Sequence, residues 1–258
     1  MKVGKVRADA LLVSRGLAPS REKAQALIMA GDVSQGDHRV DKAGALLAAD
    51  AELTVAARRR FVSRGGDKLD HAIEALSVRV EGRVCLDVGA STGGFTDCLI
   101  QRGAARVYAV DVGYGQLAEK LRADARVVVR ERVNARDMRP DDFAPPPDLV
   151  VVDASFIGIG KLIDAIARVL APGGELCALV KPQFEAGREA ASRGRGVIRD
   201  EAVRLAAIAE ARAAVEAAGF EVLGEVDSAV HGPKGNVERF VHARRRAIEA
   251  EPEPGASG

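Results

Sequence analysis

The chain has no tryptophan, two tyrosines and seven phenylalanines, so aromatic residues make up only 3% of it. That scarcity argues against a recognition surface built mainly on stacked rings. The three cysteines, Cys85, Cys98 and Cys177, are scattered and form no disulfide framework. No cysteine or histidine pair stands at metal-ligand spacing, so no metal is expected. The first residues, Met1-Lys-Val-Gly-Lys-Val-Arg7, lack the apolar stretch of a secretory signal, and no apolar run approaches a membrane span. The expectation is a cytoplasmic protein without a membrane partner. Charges nearly cancel, at a net +1, so the overall balance selects no partner. What the chain does have is 258 residues, 47% of them hydrophobic, enough for one large domain and a small one.

The most informative stretch is Val84-Cys-Leu-Asp-Val-Gly-Ala-Ser-Thr-Gly-Gly-Phe95. An apolar strand ends in an acid, passes through glycines and opens a helix. Ligands of open α/β sheets sit at such a turn. The spacing Gly89-x-x-x-Gly93-Gly94 lacks both the G-x-G-x-x-G of dinucleotide folds and the Gly-Lys-Ser/Thr of a phosphate loop. A glycine turn with no device for phosphates points to a nucleoside cofactor without them, S-adenosylmethionine. The alternative is a tight strand–helix turn that binds nothing.

The pattern divides the chain. Residues 1–57 read as a small module. A helix over 7–14 is closed by Gly16, and Ser20 caps a second helix stopped by Gly31. Short strands follow near Val33, Arg39-Val40 and Leu53-Thr-Val55. Residues 58–66 form a basic linker within a stretch, Arg58 to Lys68, that has five basic residues against one acid. It is either a solvated connection or a surface for phosphates. Residues 67–247 alternate helices with apolar strands, which predicts a mostly parallel α/β sheet covered on both faces. The strands fall near 84–88, 106–111, 126–130, 148–153, 175–181, 220–228 and 238–243. Helices are expected over 67–77, 93–102, 115–123, 161–170 and 201–218, the last with Leu205, Ile208, Ala211 and Val215 inward. The final two strands predict an antiparallel edge hairpin. Seven strands with the last one reversed is the Rossmann-like layout of class I methyltransferases. The polar segment 182–199 reads as a long loop of the kind that forms lids. The tail, 248–258, reads as disordered.

Chemistry-bearing residues gather at strand ends. Asp111 closes the second strand of the sheet, about 20 residues beyond the glycine turn, where an acid accepts ribose hydroxyls. Asp87 can brace the turn, and Asn134 and Asp137 follow the third strand, where an adenine edge would be read. The expected cofactor contacts are Asp87, Gly89, Ser91, Gly93, Gly94, Phe95, Asp111, Asn134, Asp137 and Asp153. Asp153 and Lys181 end strands, Glu238 begins one, and Lys68 lies in the helix before the sheet. A lysine ending a strand can simply reach out to water. Two lysines and two acids on one rim instead suggest an active site. A lysine can take the proton from a ribose hydroxyl as the oxygen attacks a sulfonium methyl, provided burial or a neighbouring cation eases its own deprotonation. Amino-group methylases carry Asn/Asp-Pro-Pro-Tyr/Phe where this chain has Asp153-Ala-Ser-Phe156, and no cysteine follows a proline as carbon-5 cytosine methylation requires.

Taken in order, Ser63-Arg-Gly-Gly-Asp-Lys-Leu69, Gly89-Ala-Ser-Thr-Gly-Gly-Phe-Thr96, Val152-Asp-Ala-Ser-Phe156, Lys181-Pro-Gln-Phe-Glu185 and the segment ending at Glu238 resemble the TlyA (hemolysin A) family of ribosomal RNA 2′-O-methyltransferases. The resemblance covers nearly the whole chain before the tail. It implies an FtsJ-like domain whose Lys-Asp-Lys-Glu tetrad falls on Lys68, Asp153, Lys181 and Glu238, with Lys181 as general base. It also implies methylation of cytidine riboses in ribosomal RNA. The small module is similar to an RNA-binding unit shared by a ribosomal protein and pseudouridine synthases. Arg7, Arg15, Arg21, Lys23, Arg58, Arg59, Arg60 and Arg64 are then candidate phosphate contacts, which position without reading sequence. Ribosomal subunits are the implied partner; the sequence does not specify an oligomeric state, and a monomer is slightly favoured. Two competing readings are a membrane-active hemolysin and a non-catalytic RNA-binding factor.

Overall fold

A computed structural model describes residues 4–36, 38–55, 60–186, 197–232 and 235–246. The chain divides into two compact units, Met1–Arg59 and Arg60–Gly258. Arg58, Arg59 and the acidic tail lie outside the described residues.

In the first unit, β1 (Lys5–Arg7) runs directly into α1 (Ala8–Ser14), and α2 (Arg21–Ala30) follows. The Ser20 hydroxyl accepts the Lys23 amide at 3.2 Å, and Gly31 closes α2 in the left-handed conformation. Next come β2 (Val33–Gln35), β3 (His38–Arg39), β4 (Leu46–Ala48) and β5 (Thr54–Val55). β1 pairs with β4, while β3, β2 and β5 make a second small sheet. Leu12, Ala24, Ile28 and Val33 fill the core between them. β1 and β4 were not expected from the sequence: β1 runs straight into α1 with no turn between them, and Leu46-Leu47-Ala48 shows no apolar–polar alternation.

The second unit is built on a seven-stranded sheet. Its elements are α3 (Arg64–Ala75), β6 (Val84–Val88), α4 (Gly94–Gln101), β7 (Arg106–Asp111), α5 (Glu119–Arg122), β8 (Val127–Glu131), β9 (Leu149–Val152), α6 (Ile163–Val169), β10 (Glu175–Val180), α7 (Pro182–Glu185), α8 (Glu201–Ala217), β11 (Phe220–Asp227) and β12 (Arg239–Arg245). The strand order is β11-β12-β10-β9-β6-β7-β8, with β12 antiparallel to both neighbours and the other pairings parallel. Alternate residues of each strand supply the two faces. Leu86, Val150, Leu176 and Val241 pack with α6 and α8, whereas Cys85, Leu149, Cys177 and Phe240 pack with α3 and α4.

Several expectations need correction. The segment assigned to a linker belongs to the second unit from Arg60 onward. Phe61 is buried, Arg60 pairs with Asp70, and the Asp97 carboxylate accepts the Val62 amide at 2.8 Å. α3 starts three residues early, at Arg64, where the Ser63 hydroxyl accepts the Gly65 amide at 3.3 Å. Its first turn contains two glycines, which are weak helix formers, and so it read as a linker. Residues 115–118 are not helical, since Gly115 takes a positive φ of 70°. Leu205 is exposed, and Arg204 lies inward instead, held by Glu201 and Asp227. The expected lid begins as α7, and residues 187–196 lie outside the described residues.

Candidate active site

The carboxyl ends of β6, β7 and β9 surround a cavity of about 500 Å³, a size suited to a nucleoside. Gly89, Ser91, Asp111, Asn134 and Asp153 line it, as do Gln116, Arg136 and Phe156, which the sequence reading did not assign. The Asp111 carboxylate organises its floor, accepting the Ser91 amide at 2.8 Å and the Gly113 amide at 2.6 Å. Each oxygen keeps a second lone pair for a hydroxyl donor. Ser91, Arg132 and Phe156 all hold positive φ without being glycine, and all three belong to loops at this end of the sheet. Backbone strain of this kind persists only where its surroundings over-determine it.

Gly93, Gly94, Phe95, Asp87 and Asp137 are not among the residues lining the cavity. Gly94 serves packing: a Cβ there would collide with the Ser63 hydroxyl and come within 2.9 Å of the Gly66 nitrogen, separating α4 from α3. A Cβ at Gly93 would collide with Leu121. Phe95 stacks on Phe240 in the core at 6.0 Å. Asp87 is fully buried and accepts the Thr96 hydroxyl at 2.7 Å, bracing the turn from below. Burial pushes its carboxyl up to about 7, against the Thr96 hydrogen bond that favours the ion. Asp137 ends a 3-10 turn with its side chain exposed.

Lys68, Asp153, Lys181 and Glu238 meet as two ion pairs on one rim. Val180 is paired with Arg239, so the residues one step outward are Lys181 and Glu238. The Lys68 ammonium donates to Glu238 Oε2 at 2.6 Å, and both side chains are buried. Lys181 Nζ lies 2.6 Å from Asp153 Oδ1, 3.4 Å from the Asp153 carbonyl oxygen and 3.1 Å from Ser155 Oγ. A Cβ placed on Gly65 would stand 3.7 Å from Asp153 Oδ2, so the start of α3 borders the second pair. Arg64 donates to the His231 carbonyl at 2.7 Å, tying α3 to the loop before Glu238. Ser155 went unassigned although its motif was noticed, because only the fold turns its hydroxyl toward Lys181.

The basic residues expected at phosphates are largely engaged within the protein. Arg7 and Arg21 both bind the buried Asp9 carboxylate, at 2.9 and 3.1 Å, and Gln25 adds a third donor. The Arg7 hydrogen bond holds Asp9 well below the usual carboxylate range. Arg15 donates to the Ala49 and Ala51 carbonyls. Lys23 is exposed.

The sheet with its reversed strand, the glycine turn and the acid ending the second sheet strand define the class: a Rossmann-like methyltransferase. Comparison with known proteins narrows this. Residues 61–245 match the FtsJ-like methyltransferase family. The 16S/23S rRNA (cytidine-2′-O)-methyltransferase TlyA of Mycobacterium tuberculosis is 43% identical over 248 residues, covering 95% of this chain and 92% of that protein. A solved structure of a Streptococcus thermophilus protein, described only as a hemolysin candidate, is 40% identical with a TM-score of 0.73, covering 95% of this chain and 90% of that one. The N-methyltransferase NodS of Bradyrhizobium japonicum, solved with S-adenosyl-L-homocysteine, shares the fold alone, at 17% identity and a TM-score of 0.51, covering 71% of this chain and 89% of that one. The chain belongs to the FtsJ-like methyltransferase family.

Proposed function

We propose that this protein transfers a methyl group from S-adenosylmethionine to the 2′-hydroxyl of cytidine riboses in ribosomal RNA. The observation that carries this reading is the pair of lysine–carboxylate bridges, one buried and one partly buried, on the rim that borders the nucleoside-sized cavity. The activity named for the M. tuberculosis relative supports it.

The cavity fits the cofactor by its donors and acceptors. Asp111 would take the ribose hydroxyls, the glycine turn at Gly89–Ser91 the amino-acid end, and Asn134 the adenine edge. When bound, S-adenosylmethionine supplies an electrophilic methyl on sulfur. Lys181 is the general base. As an ammonium it has three hydrogens for the Asp153 carboxylate, the Asp153 carbonyl and Ser155. As a neutral amine it keeps two hydrogens and a lone pair for the acceptor hydroxyl. The Ser155 hydroxyl accepts from Lys181 in both states, which leaves the single lone pair of the amine to the acceptor hydroxyl. Lys68, fixed by Glu238, orients the ribose. The rest is alignment of the attacking oxygen with methyl carbon and sulfur.

RNA is held by the first unit and the basic segment that follows it. Arg7 and Arg21 remain about half exposed after binding Asp9, so their free N–H groups can reach phosphates in a fixed orientation. Lys23, Arg15, Arg58, Arg59, Arg60 and Arg64 extend the same set. Such contacts suit folded RNA read by shape. Among the described residues no helix is long and apolar enough to cross a membrane.

The test is transfer of labelled methyl to purified small and large ribosomal subunits, with mapping of 2′-O-methyl positions. Wild-type protein should label cytidine riboses, and Lys181→Ala should abolish labelling while cofactor binding persists. Full activity of Lys181→Ala removes Lys181 as base. Absence of labelling by wild type on either subunit overturns the reading.

A further inference from the structure

The loop after β9 carries Asp153 and Ser155 toward Lys181, and it holds a strained conformation. Phe156, at its tip, has φ 66° and is 90% exposed. A bulky side chain is costly in that region of backbone space, and neither its exposure nor its ring contact with Phe184 at 5.4 Å is enough to hold the loop. Ala154, Ile157 and Ile159 pack on the core, and a polar contact fixes the backbone of the segment as well.

Glu185 supplies that contact from the helix that follows the neighbouring parallel strand, β10. It closes α7, four residues after Lys181, and its Oε1 accepts the Ile159 amide at 2.8 Å. Its Oε2 lies so close to Gly158 that any Cβ there would overlap it. Gly158 has φ −77° and ψ 154°, a conformation open to every residue, so its backbone does not require glycine. The local reason for glycine is room for the Glu185 carboxyl. Burial pushes that carboxyl above its usual range, with Glu210 adding to the effect and the Ile159 amide opposing it. Glu185 and Lys181 also line one water-sized cavity with Ala154 and Ile157, so the clasp and the lysine share a wall.

We infer that Glu185 is a positioning residue: seated on the Gly158–Ile159 backbone, it holds the 153–159 loop so that Asp153 and Ser155 stay on Lys181. The inference rests on the reading of Lys181 and Asp153 as reacting-site residues. Positioning needs an acceptor at Oε1 and no charge. Glutamine therefore replaces glutamate, and alanine does not.

The experiment compares wild type with Glu185→Ala, Glu185→Gln, Gly158→Ala and the double alanine variant of the full chain. Two quantities are read: amide exchange at Ile159, and the rate and pH profile of methyl transfer to ribosomal subunits. Glu185→Ala should speed Ile159 exchange about tenfold, the loss of one backbone hydrogen bond. It should also lower turnover on the order of a hundredfold, the effect of a displacement near 1 Å. Glu185→Gln should stay close to wild type in both, with the pH profile unmoved. Gly158→Ala should reproduce Glu185→Ala, and the double variant should lose no more than either alone. Unchanged Ile159 exchange in Glu185→Ala overturns the inference. So does a Glu185→Gln variant as impaired as alanine with a shifted pH profile, which would make Glu185 a titrating participant. Inactive wild type would sink the functional reading instead, and the exchange data would still judge Glu185.

Discussion

Replacing Glu238 with glutamine isolates the most buried charge of the site. Glu238 and Lys68 form a 2.6 Å pair whose side chains are 1% and 9% exposed. Taking the negative charge away leaves the Lys68 ammonium in a pocket without its counter-ion, which costs about 3–5 kcal/mol. A domain typically has only about 5–15 kcal/mol of stability to lose, so the effect is large. Replacing both partners with methionine removes the unpaired charge as well, and such apolar replacement of a buried pair is often neutral or better. The absence of tryptophan supplies the assay. Both tyrosines, Tyr108 and Tyr114, lie in the second unit, so tyrosine emission during urea denaturation reports on that unit alone. Tyr108 is buried, with its hydroxyl on the Pro145 carbonyl at 3.1 Å. Glu238→Gln should lower the unfolding free energy drawn from the urea curve by that amount, moving the midpoint by its ratio to the m-value. Lys68→Met/Glu238→Met should recover most of it, and neither variant should transfer methyl groups. A double variant as unstable as Glu238→Gln would show that the pair holds the fold. A double variant with normal activity would show that it does nothing for the chemistry. Either result refutes the argument that this pair is retained for catalysis.

Asp87 predicts a pH signature. Its folded-state pKa of about 7 lies above the ordinary 3.8, so between about pH 4 and 7 the folded protein keeps a proton that the unfolded chain has released. Stability therefore falls as pH rises through that window and levels off above it. Asp87→Asn, which still accepts from Thr96, should remove this decline, a relative gain on the order of 4 kcal/mol at pH 8 over pH 4; parallel pH profiles of the urea midpoint would refute it. Gly94→Ala should cost about 1–3 kcal/mol by forcing α4 off α3. Because α3 carries Lys68, methyl transfer should fall with it, and unchanged activity would show that α3 can shift without disturbing the site.

Much of the second unit was legible because a parallel sheet writes its period locally. Continuous apolar runs between amphipathic helices located β6 and β7 to the residue, and strand ends brought Asp111, Asp153 and Lys181 to attention. The short strands β1 and β4 left no such trace. Nor did the true start of α3, where Gly65 and Gly66 disguised a helix as a linker.

The glycine turn itself, the polar residues that end strands and the order of motifs follow from the sequence alone, since each depends on neighbours a few positions away. Partnership was decided by the tertiary structure. Lys68 and Glu238 stand 170 positions apart and meet only through the docking of α3 and the register of β12 on β10. The same long-range geometry packs Gly93 against Leu121 and Gly94 against the start of α3, and it seats Arg7 and Arg21 on Asp9. It also gave Glu185 its place on Gly158, because which side chain leans on which backbone is set by how strand ends converge.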